Sequence, residues 1–66
     1  MPTYNSQRDC MRSMIKQFGP QEDVVVREYA ASERRGEVSR KSNVQRIDAE
    51  KYARALWADG ARKGWF

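Results

Sequence analysis

The C-terminal segment, residues 47–66, most constrains the fold of this chain, because its apolar and small side chains recur with the period of an α-helix. The i, i+3, i+4, i+7, i+8 spacing places them on one side of a helix; they are Ala49, Tyr52, Ala53, Leu56, Trp57, Gly60 and Ala61. Both tryptophans of the chain, Trp57 and Trp65, belong to this segment. We therefore expect a C-terminal helix over residues 48–63 that organises the core.

The ends of this helix carry their own signals. Asp48 suits the N-cap, because its carboxylate can accept a hydrogen bond from a free amide of the first turn. Gly60 weakens a helix interior by about 1 kcal/mol relative to alanine, so the helix either stops or bends there or continues to Gly64. If it continues, we expect Trp65 to fold back onto the rest of the domain.

A first helix is predicted over residues 6–18, after a short extended lead at residues 1–5. Asn5 or Ser6 can cap it, and Gly19 follows at a position where helices commonly end. Apolar residues recur through it at helical spacing: Cys10, Met11, Met14, Ile15 and Phe18. This stripe predicts that Cys10 is a small buried hydrophobe rather than a reactive thiol.

A second helix is predicted over residues 20–35. Pro20 is tolerated at a first helical position, and Gly36 closes the segment. Three consecutive β-branched residues, Val24–Val26, favour a strand instead, so a strand over residues 23–30 remains an alternative. The helix is preferred because its end signals agree and because one helical face collects apolar residues: Val25, Val26, Tyr29 and Ala30.

These segments predict an all-α domain, a single small three-helix unit with a basic loop at residues 36–47. A chain of 66 residues has room for one small core and buries only about 60% of its unfolded surface. Its single cysteine forms no internal disulfide. Large aromatic residues must therefore supply much of the core, and a homodimer that completes this core is one expected arrangement.

The same residues make several function classes improbable. The chain has no histidine, so it lacks the usual general base near neutral pH and the usual zinc ligand sets. No glycine-rich phosphate loop is present, and the carboxylates are explained by helix ends and by the acid-first pairs Glu50–Arg54 and Asp59–Lys63. We expect no catalysis, no cofactor, no metal and no small-molecule substrate. Without a membrane span or a secretory signal, we expect a cytoplasmic protein.

The basic residues give the best functional signal, since the chain has 13 Lys and Arg against 9 Asp and Glu, a net charge of +4. In the first helix, Arg8, Arg12 and Lys16 recur at i, i+4 and i+8; we call them the basic ridge. Like charges at this spacing oppose the helix, so an anionic partner could offset the penalty. The alternative is that Asp9 or glutamates of the second helix neutralise the ridge.

Two other groups of cations extend this prediction. Lys51, Arg54 and Arg62 form the outer face of the C-terminal helix, where the small residues between them would let a phosphate backbone come close. An ordinary solvated helix surface fits the same pattern. The loop adds Arg40 and Lys41 beside hydroxyl and amide side chains.

Two functions follow as hypotheses. The first is a small DNA- or RNA-binding module that contacts phosphates through the eight cations named above, with affinity that falls as salt rises. The second is a protein-interaction module, a dimeric adaptor or a small inhibitor, with aromatic anchors at Trp57, Trp65 and Phe66. Base stacking is not expected, because most aromatic residues, including Phe18, Trp57 and Trp65, are assigned to the core.

Overall fold

The computed structural model of the protein describes residues 4–39 and 48–66. These residues form three helices: α1 (Gln7–Phe18), α2 (Glu22–Arg34) and α3 (Ala49–Lys63). The described residues contain no strand, which confirms the all-α prediction and rejects the strand alternative for residues 23–30.

Helix α1 begins and ends close to the predicted positions. The backbone amide of Asp9 donates a hydrogen bond to Ser6 Oγ at 3.2 Å, so Ser6 is the N-cap and the helix starts one residue later than predicted. At the other end, the amide of Gly19 donates to the carbonyl oxygen of Ile15 at 2.8 Å. Both hydrogen bonds satisfy backbone groups that the end of a helix leaves unpaired.

Helix α2 is shorter than predicted at both ends. It begins at Glu22, because Gln21 has an extended backbone (φ −73°, ψ 113°) and occupies the N-cap. Pro20 therefore lies before the helix and not at its first position. The helix ends at Arg34, where Arg35 is the C-cap. Its valines remain helical because Val25 and Val26 are buried in the core, and tertiary burial outweighs their preference for strands.

Helix α3 continues through Gly60 to Lys63. Gly64 ends it in the left-handed conformation (φ 75°, ψ 28°), which glycine adopts without a steric penalty. The amide of Trp65 then donates to the carbonyl oxygen of Gly60 at 2.9 Å, and the carbonyl oxygen of Trp65 accepts a hydrogen bond from Arg12 of α1. The predicted fold-back of Trp65 onto the rest of the domain is therefore confirmed. Asp48 occupies the N-cap, but its side chain makes no capping hydrogen bond, because its backbone (ψ 4°) is not in the extended conformation typical of a capping residue.

The core lies where α2 packs against both other helices. Its buried apolar residues come from all three helices and from the segment after α2: Cys10, Met11, Met14, Val25, Val26, Tyr29, Ala30, Val38, Ala49 and Ala53. The C-terminal stripe is only partly in this core, since Tyr52, Leu56 and Trp57 are half-buried and pack against it. The predicted burial of Cys10 is confirmed, and burial raises the pKa of its thiol to about 12, with the negative charge of Glu37 as a second cause.

One aromatic assignment to the core is wrong. Phe18 is 42% exposed, although its spacing from Met14 places it on the apolar stripe of α1. Phe18 is the last residue of α1, and the chain turns away at Gly19. The apolar stripe of α1 therefore extends beyond the part of the helix that the rest of the domain covers. The core assignment of Tyr29 is confirmed: it is fully buried, with its ring centroid 6.4 Å from that of Tyr52.

Candidate nucleic-acid interface

The basic ridge lies on the solvent side of α1, and Arg8, Arg12 and Lys16 are all exposed. All nine Asp and Glu residues of the chain lie within residues 4–39 and 48–66. None of them forms an ion pair with a ridge residue: the ion pairs of these ranges involve other cations, namely Arg34, Arg35, Arg54, Arg62 and Lys63. The fold therefore does not neutralise the ridge through Asp9 or through the glutamates of α2.

Arg12, the central ridge residue, is held in place by a neutral group. Its Nε donates a hydrogen bond to the backbone carbonyl oxygen of Trp65 at 2.6 Å. A carbonyl oxygen orients the guanidinium and leaves its positive charge uncompensated. The contact also brings the C-terminal tail against the ridge, which the sequence pattern did not predict.

The outer face of α3 differs from the ridge. Arg54 Nη1 lies 2.9 Å from Glu22 Oε1 and 3.1 Å from Asp23 Oδ1, so its partners are in α2. The predicted Glu50–Arg54 pair is wrong, because α3 packs against α2 and turns Arg54 toward the first turn of that helix. Glu50 lies 3.9 Å from Arg34 instead. Hydrogen bonding to Asp23 is the main cause that raises the pKa of Arg54.

Arg62 is also paired within the chain. Its Nη2 lies 2.6 Å from Asp59 Oδ1, and Lys63 Nζ lies 2.8 Å from Asp59 Oδ2, which confirms the Asp59–Lys63 pair. Hydrogen bonds from Lys63 and then Arg62 lower the pKa of Asp59. Lys51 is exposed and forms no ion pair with any carboxylate of the described residues, so it alone of the predicted outer face has no acidic partner.

The C-terminal aromatic residues form a surface cluster; we call Trp57, Trp65 and Phe66 the aromatic cluster. The rings of Trp57 and Phe66 are tilted by 42°, with centroids 4.7 Å apart. Trp57 and Trp65 are half-buried and Phe66 is 39% exposed. The assignment of both tryptophans to the core is thus only partly right.

Gly60 allows this cluster to lie against α3. A Cβ atom at Gly60 would lie 2.9 Å from Phe66 Cε1 and 2.9 Å from Trp65 Cε3, closer than carbon atoms normally approach. The absence of a side chain at Gly60 therefore lets the two rings pack on the helix. Lys63 Nζ lies 5.4 Å from the centroid of the Trp65 ring, within the range of a cation–π contact.

A groove of about 310 Å³ lies between the start of α1 and α3. Its lining combines apolar, aromatic and polar side chains: Ala55, Leu56, Tyr52, Trp65, Gln7, Asp59 and Lys63. The Gln7 side-chain amide donates to the hydroxyl of Tyr52 and, at 3.1 Å, to the carbonyl oxygen of Ser39. Sequence reasoning missed this groove, because it depends on how α1 sits beside α3.

Comparison of the chain with protein-family models, curated proteins and solved structures finds no match.

The described ranges contain no helix that is long and apolar enough to cross a membrane. Within the same residues, no group of three or more cysteine, aspartate or glutamate side chains is arranged to hold a metal ion. The predicted loop cations, Arg40 and Lys41, lie outside the described residues.

Proposed function

We propose that this chain is a small, non-catalytic nucleic-acid-binding module whose basic ridge contacts backbone phosphates. One observation carries the proposal: Arg8, Arg12 and Lys16 are exposed and form no ion pair with Asp or Glu, although all nine Asp and Glu residues of the chain lie in the described residues. Two of the three cations predicted for the outer face of α3 have such partners. The ridge is therefore the better candidate for an external anion.

The shape of the ridge favours a linear polyanion. Residues eight positions apart lie about 12 Å apart along a helix axis, so the ridge offers a row of cations rather than a pocket for one ion. The like charges oppose α1 by a few tenths of a kcal/mol for each pair. A phosphate backbone would offset this penalty and gain from the release of its counterions.

Arg12 is the ridge cation whose side chain is already oriented for phosphate binding. A guanidinium has five N–H donors, and the bond to the carbonyl oxygen of Trp65 uses only the one on Nε. The terminal nitrogens remain able to bind a phosphate in the bidentate manner typical of arginine. The side chain is already oriented, so less conformational entropy is lost on binding.

The aromatic cluster supports a second candidate, a protein-interaction module. Half-exposed tryptophans are common anchors of protein interfaces, and Trp57, Trp65 and Phe66 share one surface region. That function would depend little on salt. It gives no reason for an unpaired ridge on α1, which is why we place it second.

The test is a salt titration of binding to random-sequence duplex DNA, starting near 50 mM salt. The ridge variant carries Arg8→Gln and Lys16→Gln. The matched control carries Arg27→Gln and Arg34→Gln, two exposed cations of α2 outside the predicted interface. Arg27 has no ion-pair partner among the described residues, and Arg34 lies 3.9 Å from Glu50. Each variant removes two positive charges, so the net charge falls from +4 to +2 in both.

We expect the ridge variant to lose most of the binding and the control to lose little. Each lost phosphate contact should reduce the slope of log affinity against log salt by about 0.9 on duplex DNA. Equal losses in the two variants would show that only net charge matters and would reject the ridge. Absence of binding near 50 mM salt would reject the proposed function, because nonspecific binding is strong there.

A further inference from the structure

The groove and the basic ridge share a border. Gln7, which lines the groove, directly precedes Arg8 in α1. Trp65 also lines the groove, and its carbonyl oxygen accepts the hydrogen bond from Arg12. A strand whose phosphates lie along the ridge would therefore pass beside the opening of the groove.

The lining of the groove has the chemistry that a nucleobase needs. Trp65 and Tyr52 supply aromatic surface, and Leu56 supplies aliphatic surface. Asp59 also lines the groove, and its carboxylate can accept a hydrogen bond from a ring N–H or an exocyclic amino group. A base is a flat ring with apolar faces and polar edges, and the groove, at about 310 Å³, is within the size range of small-ligand pockets.

The charge around the groove favours an anionic chain over a neutral ligand. Asp59 is already paired with Arg62 and Lys63, so its negative charge is more than balanced locally. Arg8 and Arg12 add positive charge on the α1 side. A base that enters the groove would bring its own phosphates toward these cations.

We infer that the groove accepts one unpaired base of a single-stranded nucleic acid whose phosphates lie on the basic ridge. This inference rests on the proposed function and adds the class of nucleic acid to it. In a duplex the faces of the bases are stacked on each other and are not available to protein side chains, whereas unpaired bases stack readily on aromatic residues.

The experiment compares three probes at one salt concentration: an oligothymidylate of about 12 nucleotides, an abasic strand of the same length, and a duplex. The abasic strand has the phosphates without the bases. One stacked base contributes about 1–3 kcal/mol, so we expect the full-length protein to bind oligothymidylate about 5- to 150-fold more tightly than the abasic strand.

Two alanines of α3 provide a matched pair of variants. Ala55 lines the groove, whereas Ala58 is exposed and does not line it. We expect Ala55→Leu to fill the groove and to bring the affinity for oligothymidylate down to that for the abasic strand. Ala58→Leu should leave the preference intact, and both variants should keep their affinity for the abasic strand.

Tryptophan fluorescence gives a second measurement. The variant Trp57→Phe leaves Trp65 as the only tryptophan of the chain. Stacking predicts that oligothymidylate quenches its fluorescence and that the abasic strand does not.

Each outcome separates the inference from the proposed function. Equal, salt-dependent binding of all three probes would overturn the base site, keep the phosphate ridge and leave the groove as a protein-contact surface. Equal effects of the two leucine variants would also overturn the base site. Failure of every probe to bind near 50 mM salt would reject both the ridge and the groove.

Discussion

Helices α1 and α3 are both rich in cations, but they use them differently. All cations of α3 except Lys51 lie close to carboxylates: Arg54 reaches Glu22 and Asp23 in α2, and Arg62 and Lys63 pair with Asp59 about one turn away. The basic ridge of α1 has no such partner among the described residues. The two helices also differ in how they are anchored, since α1 buries Cys10, Met11 and Met14 whereas α3 buries Ala49, Ala53 and Gly60.

This difference indicates a division of roles. Helix α1 is held by larger apolar side chains, so its charged side is not required to hold it in place. In α3 only small residues are fully buried, whereas its larger apolar residues, Tyr52, Leu56 and Trp57, are half-buried. Ion pairs with α2 supplement this contact at its edge. We therefore expect substitutions of the paired α3 cations to affect stability and substitutions of ridge cations to affect binding.

The largest effect should come from the apolar anchor of α1. Met11 is fully buried, and Met11→Ala should lower the free energy of unfolding by about 2–5 kcal/mol, because a cavity remains where the side chain was. A domain of this size has a total stability of about 3–10 kcal/mol, so the variant should be partly unfolded. Urea denaturation measures the loss, and alkylation of the neighbouring Cys10 thiol reports how often α1 is released.

The control for this anchor keeps the volume of the side chain. Met11→Leu should cost less than about 1.5 kcal/mol and leave Cys10 protected. If Met11→Ala proved as stable as the native chain, then apolar burial would not be what holds α1, and the contrast with α3 would fail.

The helices of this fold could be predicted from sequence because local signals fix them. Ser6, Gly19 and Gly64 act at helix ends as their residue types predict, and helical periodicity identified the buried valines of α2 despite their preference for strands. The start of α2 was misplaced because proline is compatible both with a first helical position and with the extended residues before it. Only the backbone of Gln21 decides between these.

The site was less predictable because its contacts are tertiary. Spacing along one helix paired Arg54 with Glu50, but the packing of α3 on α2 gives Arg54 two acidic partners from another helix. The hydrogen bond from Arg12 to the carbonyl of Trp65 joins residues far apart in sequence. No local pattern encodes it, and the groove depends on the same packing.

The second prediction compares one paired and one unpaired arginine. Arg54→Gln should lower the Tm at low salt. It should have little effect on the Tm in about 1 M salt, where charges are screened over a few ångströms. The affinity of this variant for DNA should change little. Arg8→Gln should leave the Tm unchanged or raise it slightly, since it removes a like-charge repulsion, and should weaken DNA binding. Thermal unfolding followed by circular dichroism, with binding measured in parallel, tests both variants.

A Tm for Arg8→Gln as low as that for Arg54→Gln would mean that the ridge also stabilises the fold. In that case the absence of an ion pair would not indicate an external partner.

The smallest effect concerns the pH dependence of α3. Lys63 and Arg62 lower the pKa of Asp59 in the folded state. A carboxyl whose pKa is lower in the folded than in the unfolded chain stabilises the fold at every pH above its unfolded-state pKa, which is about 3.9. That stabilisation is lost as the pH falls through the folded-state pKa. The Tm difference between the native chain and Asp59→Asn should therefore be constant near neutral pH and shrink below about pH 4. A Tm difference that does not vary with pH would show that the Asp59 ion pairs do not stabilise the fold. Arg62 and Lys63 would then be as available to a ligand as the cations of the ridge.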